Sequence, residues 1–263
     1  MDCRICSQKV DILFNHLILN KYKVAYYFCD SCRFIQTENP FWLEESYLDP
    51  ISSIDAGIIK RNLLFARRSS TLIYFLFNHR KLFLDYGGGN GLFVRMMRDI
   101  GFDFYWDDKF TDNLLSKGFN APNNINEFKL ITSFECFEHF VDPIEEISNL
   151  IEKTDSILFS TQLFKDGPPK PEDWWYYNFE AGQHISLYSL HTLKVIANKF
   201  NLNLNSDYRG FHLLSKKKIN NTIFNLLLKF SLVGLSSFVK IVMKSKTKSD
   251  MNYLKKLSSG ENK

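Results

Sequence analysis

Four glycines stand within five residues, Gly87, Gly88, Gly89 and Gly91, between an apolar run that ends in Asp85 and a second that begins at Leu92. Glycine loses more conformational freedom on folding than any other residue. A cluster is therefore kept where backbone must turn at positive φ or lie close against another group. Leu82 to Leu84 read as a short buried strand, and Leu92 to Met97 as the first turns of a helix. A glycine-rich turn from strand to helix is the ligand-binding corner of doubly wound α/β domains, where helix N-terminal N–H groups and bare backbone can meet a ligand. The competing reading is a glycine-rich turn with no ligand.

Register narrows the choice. A phosphate-binding loop needs G-x-x-x-x-G-K-[ST], and no Lys-Ser or Lys-Thr follows Gly91. A dinucleotide fingerprint needs G-x-G-x-x-G, but the sixth position is Leu92 counted from Gly87 and Val94 counted from Gly89. What the stretch spells is D-x-G-x-G-x-G, from Asp85 through Gly87, Gly89 and Gly91, with Gly88 at a spacer position. In this it resembles the first motif of the class I S-adenosylmethionine-dependent methyltransferases. The methyl donor has no phosphates to neutralise, so a small turn against which its methionyl and ribose parts can lie suits it.

Downstream residues extend the resemblance. FDFYWDD, residues 102–108, reads as a second strand ending in two acids. A carboxylate at that strand end, about 20 residues past the glycine turn, accepts from ribose hydroxyls in doubly wound folds, and Asp108 is favoured over its neighbour Asp107. FKLITSFECFEHFVDP, residues 128–143, runs from an apolar strand into Glu135, Glu138 and His139. It is similar to the fourth strand and following E-H loop of the same class. Glu135 joins Asp85, Gly87, Gly89, Gly91 and Asp108 as an expected cofactor-binding residue. His139 is the leading general-base candidate, because imidazole titrates near neutrality; a histidine that fixes the loop is the equal alternative. Gln183 and His184 stand where related methyltransferases carry a similar Q-H-I step, which adds His184 as a second catalytic candidate.

Four of the five cysteines form two C-x-x-C pairs, Cys3 with Cys6 and Cys29 with Cys32. That pattern predicts a tetrahedral zinc site in a small ribbon, closed by four thiolates and therefore structural. Strands are expected at Leu17 to Leu19 and Lys23 to Phe28, and so small a module is expected to fold on its metal. Cys136, in an apolar run, reads as a packing thiol. Residues 1–35 carry five Lys or Arg against three Asp, too small an excess to grip a nucleic-acid backbone. An RNA or protein methyltransferase that uses the ribbon for recognition remains the alternative function.

Charge is uneven along the chain. The formal net charge of +4 arises wholly from the last 20 residues, where six Lys face Asp250 and Glu261; before them basic and acidic residues balance at 27 each. A broad basic face is not indicated. The first ten residues hold two cysteines and charges where a signal peptide needs an apolar core, so a cytoplasmic location is expected.

Asp55 to Asn78 reads as a helix, and Thr37 to Ile54, broken by Pro40 and Pro50, as a linker. Ile157 to Leu163 reads as a strand, and the long loop of residues 167–189, with Trp174, Trp175, Tyr176 and Tyr177, as a lid, with packing against the domain as its rival. Ser189 is placed to cap a helix over Leu190 to Phe200, and Leu202 to Tyr208 with Phe211 to Ser215 to form an antiparallel pair. Residues 219–243 are apolar, but the longest uncharged part holds ten residues, short of the roughly 20 a bilayer span needs. Asn221, Asn225, Lys229, Ser236 and Lys240 share one stripe of that helix and leave a wide apolar face. The face has three open roles: packing on the domain, joining two subunits, or lying on the inner face of a membrane with the Lys-rich tail against anionic lipid.

The expected organisation is a zinc ribbon over 1–38, linker and helix over 39–80, an S-adenosylmethionine-binding domain over 81–217, and an amphipathic helix with a basic tail over 218–263. The fold class is α/β: the Rossmann-like, seven-stranded class I methyltransferase sheet, with the ribbon in front and a helical extension behind. The chain resembles the methyltransferases that begin with a zinc-binding module, several of which act on nucleotide-linked sugars or among surface-polysaccharide enzymes. That resemblance implies methyl transfer to a sugar-linked small molecule. The further C-terminal domain usual in the sugar C-methyltransferases of that group has no counterpart beyond the apolar helix and tail.

Overall fold

The computed structural model describes residues 1–48, 55–122, 125, 127–165 and 167–259. The break expected at Pro50 and the last residues of the Lys-rich tail, 260–263, lie outside the described residues. The chain folds as two compact units, each assembled from two separated segments: residues 1–54 with 133–218, and residues 55–132 with 219–263.

The second unit carries the glycine turn. Helix α2 (Ile58–Leu76) leads into β4 (Leu82–Tyr86), α3 (Leu92–Ile100), β5 (Asp103–Asp107) and β6 (Leu130–Ser133). Both β5 and β6 pair parallel with β4, with Asp85 level with Trp106 on one side and Thr132 on the other. Parallel neighbours need a crossover, and α3 supplies the one between β4 and β5. Phe83, Phe93, Phe102 and Phe104 pack together beside it, the Phe83 and Phe104 rings stacked at 5.1 Å.

The first unit holds two strand groups. A five-stranded sheet has the order β1-β2-β3-β9-β8, built from β1 (Asp11–Ile18), β2 (Tyr22–Cys29), β3 (Phe34–Thr37), β8 (Leu163–Phe164) and β9 (Ser186–Ser189). Strands β7 (Ser156–Ser160), β10 (Asn203–Ser206) and β11 (Phe211–Ser215) form antiparallel pairs in the order β10-β11-β7. Three helices complete it: α1 (Leu43–Ser46), α4 (Pro143–Ile151) and α5 (Leu190–Lys199). Ser189 caps α5 in a reciprocal box with Thr192, as its position predicts.

Among the described residues the second unit holds the parallel strands β4, β5 and β6, and the first holds the antiparallel strands β7, β10 and β11, where the resemblance implies seven strands. Beside β5 a single parallel bridge joins Trp106 to Asn120, so among the described residues a seventh strand is reduced to a few residues at that edge.

The ribbon differs from an independent module. Its third strand pairs antiparallel with β9, Ile35 with Leu187 and Gln36 with Ser186, so ribbon and body share a sheet. Tyr176 and Tyr177, expected on a lid, are buried in the core of that sheet beside Tyr26, Trp42 and Ile185. Packing is therefore the role of those two rings, while Trp175 stays 76% exposed.

At the C-terminus, α6 (Asn221–Phe230) and α7 (Ser236–Val242) flank a π-helical turn, Ser231–Leu235, distorted at Val233 and Gly234. Both helices pack on α2 through Phe224, Leu228 and Val239, while Ile223, Phe230, Val233 and Ile241 stay exposed. Asn221–Val242 forms one 22-residue helical run whose most apolar 18-residue stretch has mean hydropathy 1.6, so by length and composition alone it reaches what a bilayer span needs despite Lys229 and Lys240, contrary to expectation. The basic tail is also ordered: Thr247–Ser259 is helix α8, held to α3 by the buried Asp250, which takes two hydrogen bonds of 2.8 Å from Arg98 and one of 2.7 Å from Arg95.

Candidate active site and cysteine centre

In the second unit the glycine turn is shaped by its neighbours. Gly87, Gly89 and Gly91 have φ of 69°, 52° and 82°, the left-handed region that favours glycine. Gly88 is required for a different reason: a Cβ there would lie 2.8 Å from the Trp106 ring and 2.9 Å from Asp85 Oδ2. It is thus no free spacer. Asp85 is buried and accepts a 2.6 Å hydrogen bond from the Thr132 hydroxyl. Burial pushes its carboxyl up to about 7, against that hydrogen bond.

Asp108 serves the loop. Its Oδ2 accepts from the Gly89 N–H at 2.9 Å, and its Oδ1 accepts from the N–H groups of Phe110 and Thr111. The Trp106 indole N–H donates to Gly89 O at 2.7 Å, and the Asp107 carbonyl accepts from Gly87 and Gly88. Strand β5 therefore holds the turn at both edges. Asp107, its last residue, stands half-exposed at the strand end.

The remaining candidates lie in the first unit. Glu135 has φ 55° and exchanges two hydrogen bonds with Ser160: its N–H donates to Oγ at 2.8 Å, and its Oε1 accepts at 2.6 Å. The short 3₁₀ turn Phe137–His139 follows. His139 Nδ1 lies 3.2 Å from the Tyr47 hydroxyl, and His184 Nδ1 lies 2.6 Å from the Tyr176 carbonyl, so in His184 that nitrogen carries the proton. The two imidazole rings are 5.2 Å apart. Burial holds His139 well below its ordinary range and His184 down to about 4, so both are neutral near pH 7. Burial pushes Glu138 up to about 8, with Glu135 adding to the effect. Cys136 is half-buried and donates its S–H to Phe134 O.

At the front of the same unit the four cysteines converge. Cys3 Sγ is 3.4 Å from Cys32 Sγ, Cys6 Sγ is 3.5 Å from Cys29 Sγ, and all four are free thiols within 4.8 Å of one another. Sulfurs on one tetrahedral zinc, each at about 2.3 Å, lie about 3.8 Å apart, so the donor set and spacing fit that ion. Both knuckles turn alike: Ser7 and Arg33, each just after a C-x-x-C, have φ of 60° and 58° and donate N–H to the carbonyls of Cys3 and Cys29. The Thr192 hydroxyl binds the carbonyls of Cys32 and Arg33, which anchors the second knuckle to α5.

Sequence reasoning missed Thr132, Trp106 and Tyr47. Trp106 and Thr132 could have been found from strand register, which sets both beside Asp85; nothing in the aromatic linker marks Tyr47.

A glycine turn at positive φ between parallel strands, held by the Asp108 carboxylate and the Trp106 indole, is a ligand-binding corner of α/β folds, and the comparisons give the class. Residues 60–206, more than half of the chain, match the family described as "Methyltransferase domain", and the chain belongs to it. It is a class I S-adenosylmethionine-dependent methyltransferase. No curated protein matches it. Among solved structures, a Burkholderia thailandensis 1,6-didemethyltoxoflavin-N1-methyltransferase with bound S-adenosylhomocysteine is similar at 13% identity and TM-score 0.48, over 76% of this chain and 96% of that one. The plantazolicin methyltransferase BpumL, also with the demethylated cofactor, is similar at 13% identity and TM-score 0.44, over 66% and 93%. A Leishmania major S-adenosylmethionine-dependent methyltransferase is similar at 14% identity and TM-score 0.47, over 66% and 82%.

Proposed function

We propose that the methyl acceptor is a small molecule, a nucleotide-linked sugar or surface-polysaccharide precursor, with the ribbon holding a structural zinc. The observation that carries the cofactor side is the turn itself: three motif glycines at positive φ above a buried Asp85. S-adenosylmethionine, when bound, supplies an activated methyl group on sulfur. The chain's part is to bind and orient. Bare backbone at Gly87 to Gly91 would take the methionyl and ribose parts. Asp108, whose carboxylate already holds the Gly89 N–H, is the carboxylate for the ribose hydroxyls, with its neighbour Asp107 at the strand end beside it. Ligands of open α/β sheets bind beyond strand carboxyl ends, and the glycines follow the end of β4 in that way. The sugar-linked acceptor rests on the resemblance of the ribbon-bearing architecture and on the neutral charge of the body.

The test is calorimetry with S-adenosylmethionine followed by a methyl-transfer screen over nucleotide sugars and polysaccharide precursors. Wild type is expected to bind, with Gly89→Asp and Asp108→Ala weaker. No binding by wild type overturns the cofactor reading, and methylation of RNA or protein alone overturns the acceptor.

The exposed Ile223, Phe230, Val233 and Ile241, with Lys229 and Lys240 beside them, favour peripheral contact with the anionic inner face of a membrane. Co-sedimentation with anionic but not neutral vesicles supports this, and a dimer in solution without vesicle binding assigns the face to a second copy.

A further inference from the structure

We propose that Glu138, His139 and His184 form a second metal site, for a divalent transition-metal cation, separate from the four cysteines. Each offers one ligand atom, and these atoms lie within 4.8 Å of one another. Ligands of one first-row ion, at about 2.1 Å each, lie about 3–4 Å apart, so small side-chain rotations close the site.

The first argument is Glu138. It is fully buried, and neither carboxylate oxygen makes a hydrogen bond of good geometry, although the Tyr176 and Thr161 hydroxyls lie close to it. Burying a carboxyl without partners is costly. Two hydroxyls at poor geometry are weak compensation, whereas a cation with two neutral imidazoles beside it satisfies the group.

The second argument is orientation. In His184 the protonated Nδ1 is committed to Tyr176 O at 2.6 Å, which leaves Nε2 bare. A ring N–H bound to a carbonyl is the usual outer support of a metal-binding imidazole. His139 Nδ1 lies 3.2 Å from the Tyr47 hydroxyl, and in the tautomer whose Nδ1–H donates to that oxygen Nε2 is left for a cation.

The third argument is rigidity. The Ile185 N–H donates to Glu138 O at 2.9 Å, the Ser186 hydroxyl to Phe140 O at 2.7 Å, and the Tyr188 hydroxyl to Phe137 O at 2.8 Å. These three bonds lock the turn that carries Glu138 and His139 onto the strand that follows His184. Preorganisation of this kind is what a ligand constellation needs. Glu135, at φ 55°, adds backbone strain of the sort that concentrates at functional sites.

Two imidazole nitrogens and one carboxylate suit zinc, manganese, iron(II) or cobalt better than magnesium or calcium, which prefer oxygen alone. Three protein ligands leave at least one position open, and His139, the half-exposed member, gives the approach. A hydroxyl acceptor in that position would have its pKa lowered by the cation and release its proton to water, and its oxygen would then take the methyl group as the methyl–sulfur bond breaks and S-adenosylhomocysteine leaves. That last step rests on the methyl-transfer reading; the cation site does not.

The probe is Mn²⁺ alone, titrated into the intact chain and followed by the electron-spin resonance of the free ion, because thiolates hold manganese poorly. Wild type is expected to bind one equivalent, and Glu138→Gln and His184→Asn at least tenfold more weakly, with unchanged circular dichroism. Mn²⁺ should raise the melting temperature of wild type but not of Glu138→Gln. Absence of saturable binding, or equal affinity in wild type and Glu138→Gln, overturns the proposal. Calorimetry with S-adenosylmethionine runs in parallel: manganese binding without cofactor binding retains the metal site and refutes the cofactor reading.

Discussion

Gly88 and Asp85 share one crowded corner, and each yields a prediction. In Gly88→Ala the new methyl meets the Trp106 ring and Asp85 at under 3.0 Å, both held by hydrogen bonds. Overpacking of this kind costs about 1–3 kcal/mol, which calorimetric melting should show as a fall of a few degrees, with weaker cofactor binding. Asp85 carries the pH dependence. Its folded-state value of about 7 exceeds the ordinary 3.8, so between those limits the folded chain keeps a proton that the unfolded chain has lost. Stability from this group therefore falls as pH rises from about 4 to 7 and is fully lost above 7, on the order of a few kcal/mol in all. Asp85→Asn should flatten that slope in denaturant titrations across the window; an unchanged slope refutes the assignment. The motif glycines were legible because positive φ leaves a mark in sequence. For Asp108 the spacing suggests a ribose ligand but does not show that its carboxylate also accepts from three backbone N–H groups of the loop.

Among the elements, α8 is the one that sequence reasoning treated as a tail. Its hold on α3 depends on Asp250, 3% exposed, against Arg98, 4% exposed, whose guanidinium also lies 3.7 Å over the Phe119 ring. Removing one partner of a buried pair strands the other charge, so Asp250→Ala should cost about 3–5 kcal/mol in chemical unfolding, and Arg98→Met with Asp250→Leu together much less. Strands and capped helices with clean periodicity, β4, β11 and α5, could be read directly from the chain. The Arg98–Asp250 pair joins residues 152 positions apart, and no local pattern encodes it. The same holds for Tyr176 and Tyr177: their aromatic character was plain, but only the ribbon sheet shows them packed among Tyr26 and Trp42.

For the molecule as a whole, the shared sheet ties the cysteine centre to the body of the first unit. On the proposed zinc reading, stripping the metal with a chelator, or Cys29→Ser, should therefore do more than unfold a ribbon. Loss of the β3–β9 pairing would release Trp42, whose indole N–H donates to Gly182 O at 2.8 Å, and a red shift of tryptophan emission on metal removal should report it. Loss of zinc with unchanged emission and melting would show a ribbon independent of the body. The α/β class and the two-pair cysteine pattern were visible in the sequence. The interleaving of the units was not, because it depends on pairings between segments far apart in the chain.

The pairing of Gln36 with Ser186 also sets a timetable for synthesis. The ribbon's third strand leaves the ribosome about 150 residues before its partner, roughly 8–30 s at ordinary elongation rates. For that interval its outer edge has no neighbour, and an unpaired edge is a template for unwanted pairing. Early capture of metal by the two knuckles would hold the first three strands in register while the edge waits, so metal supply during translation should govern the yield of folded chain more than it governs the stability of chain already folded.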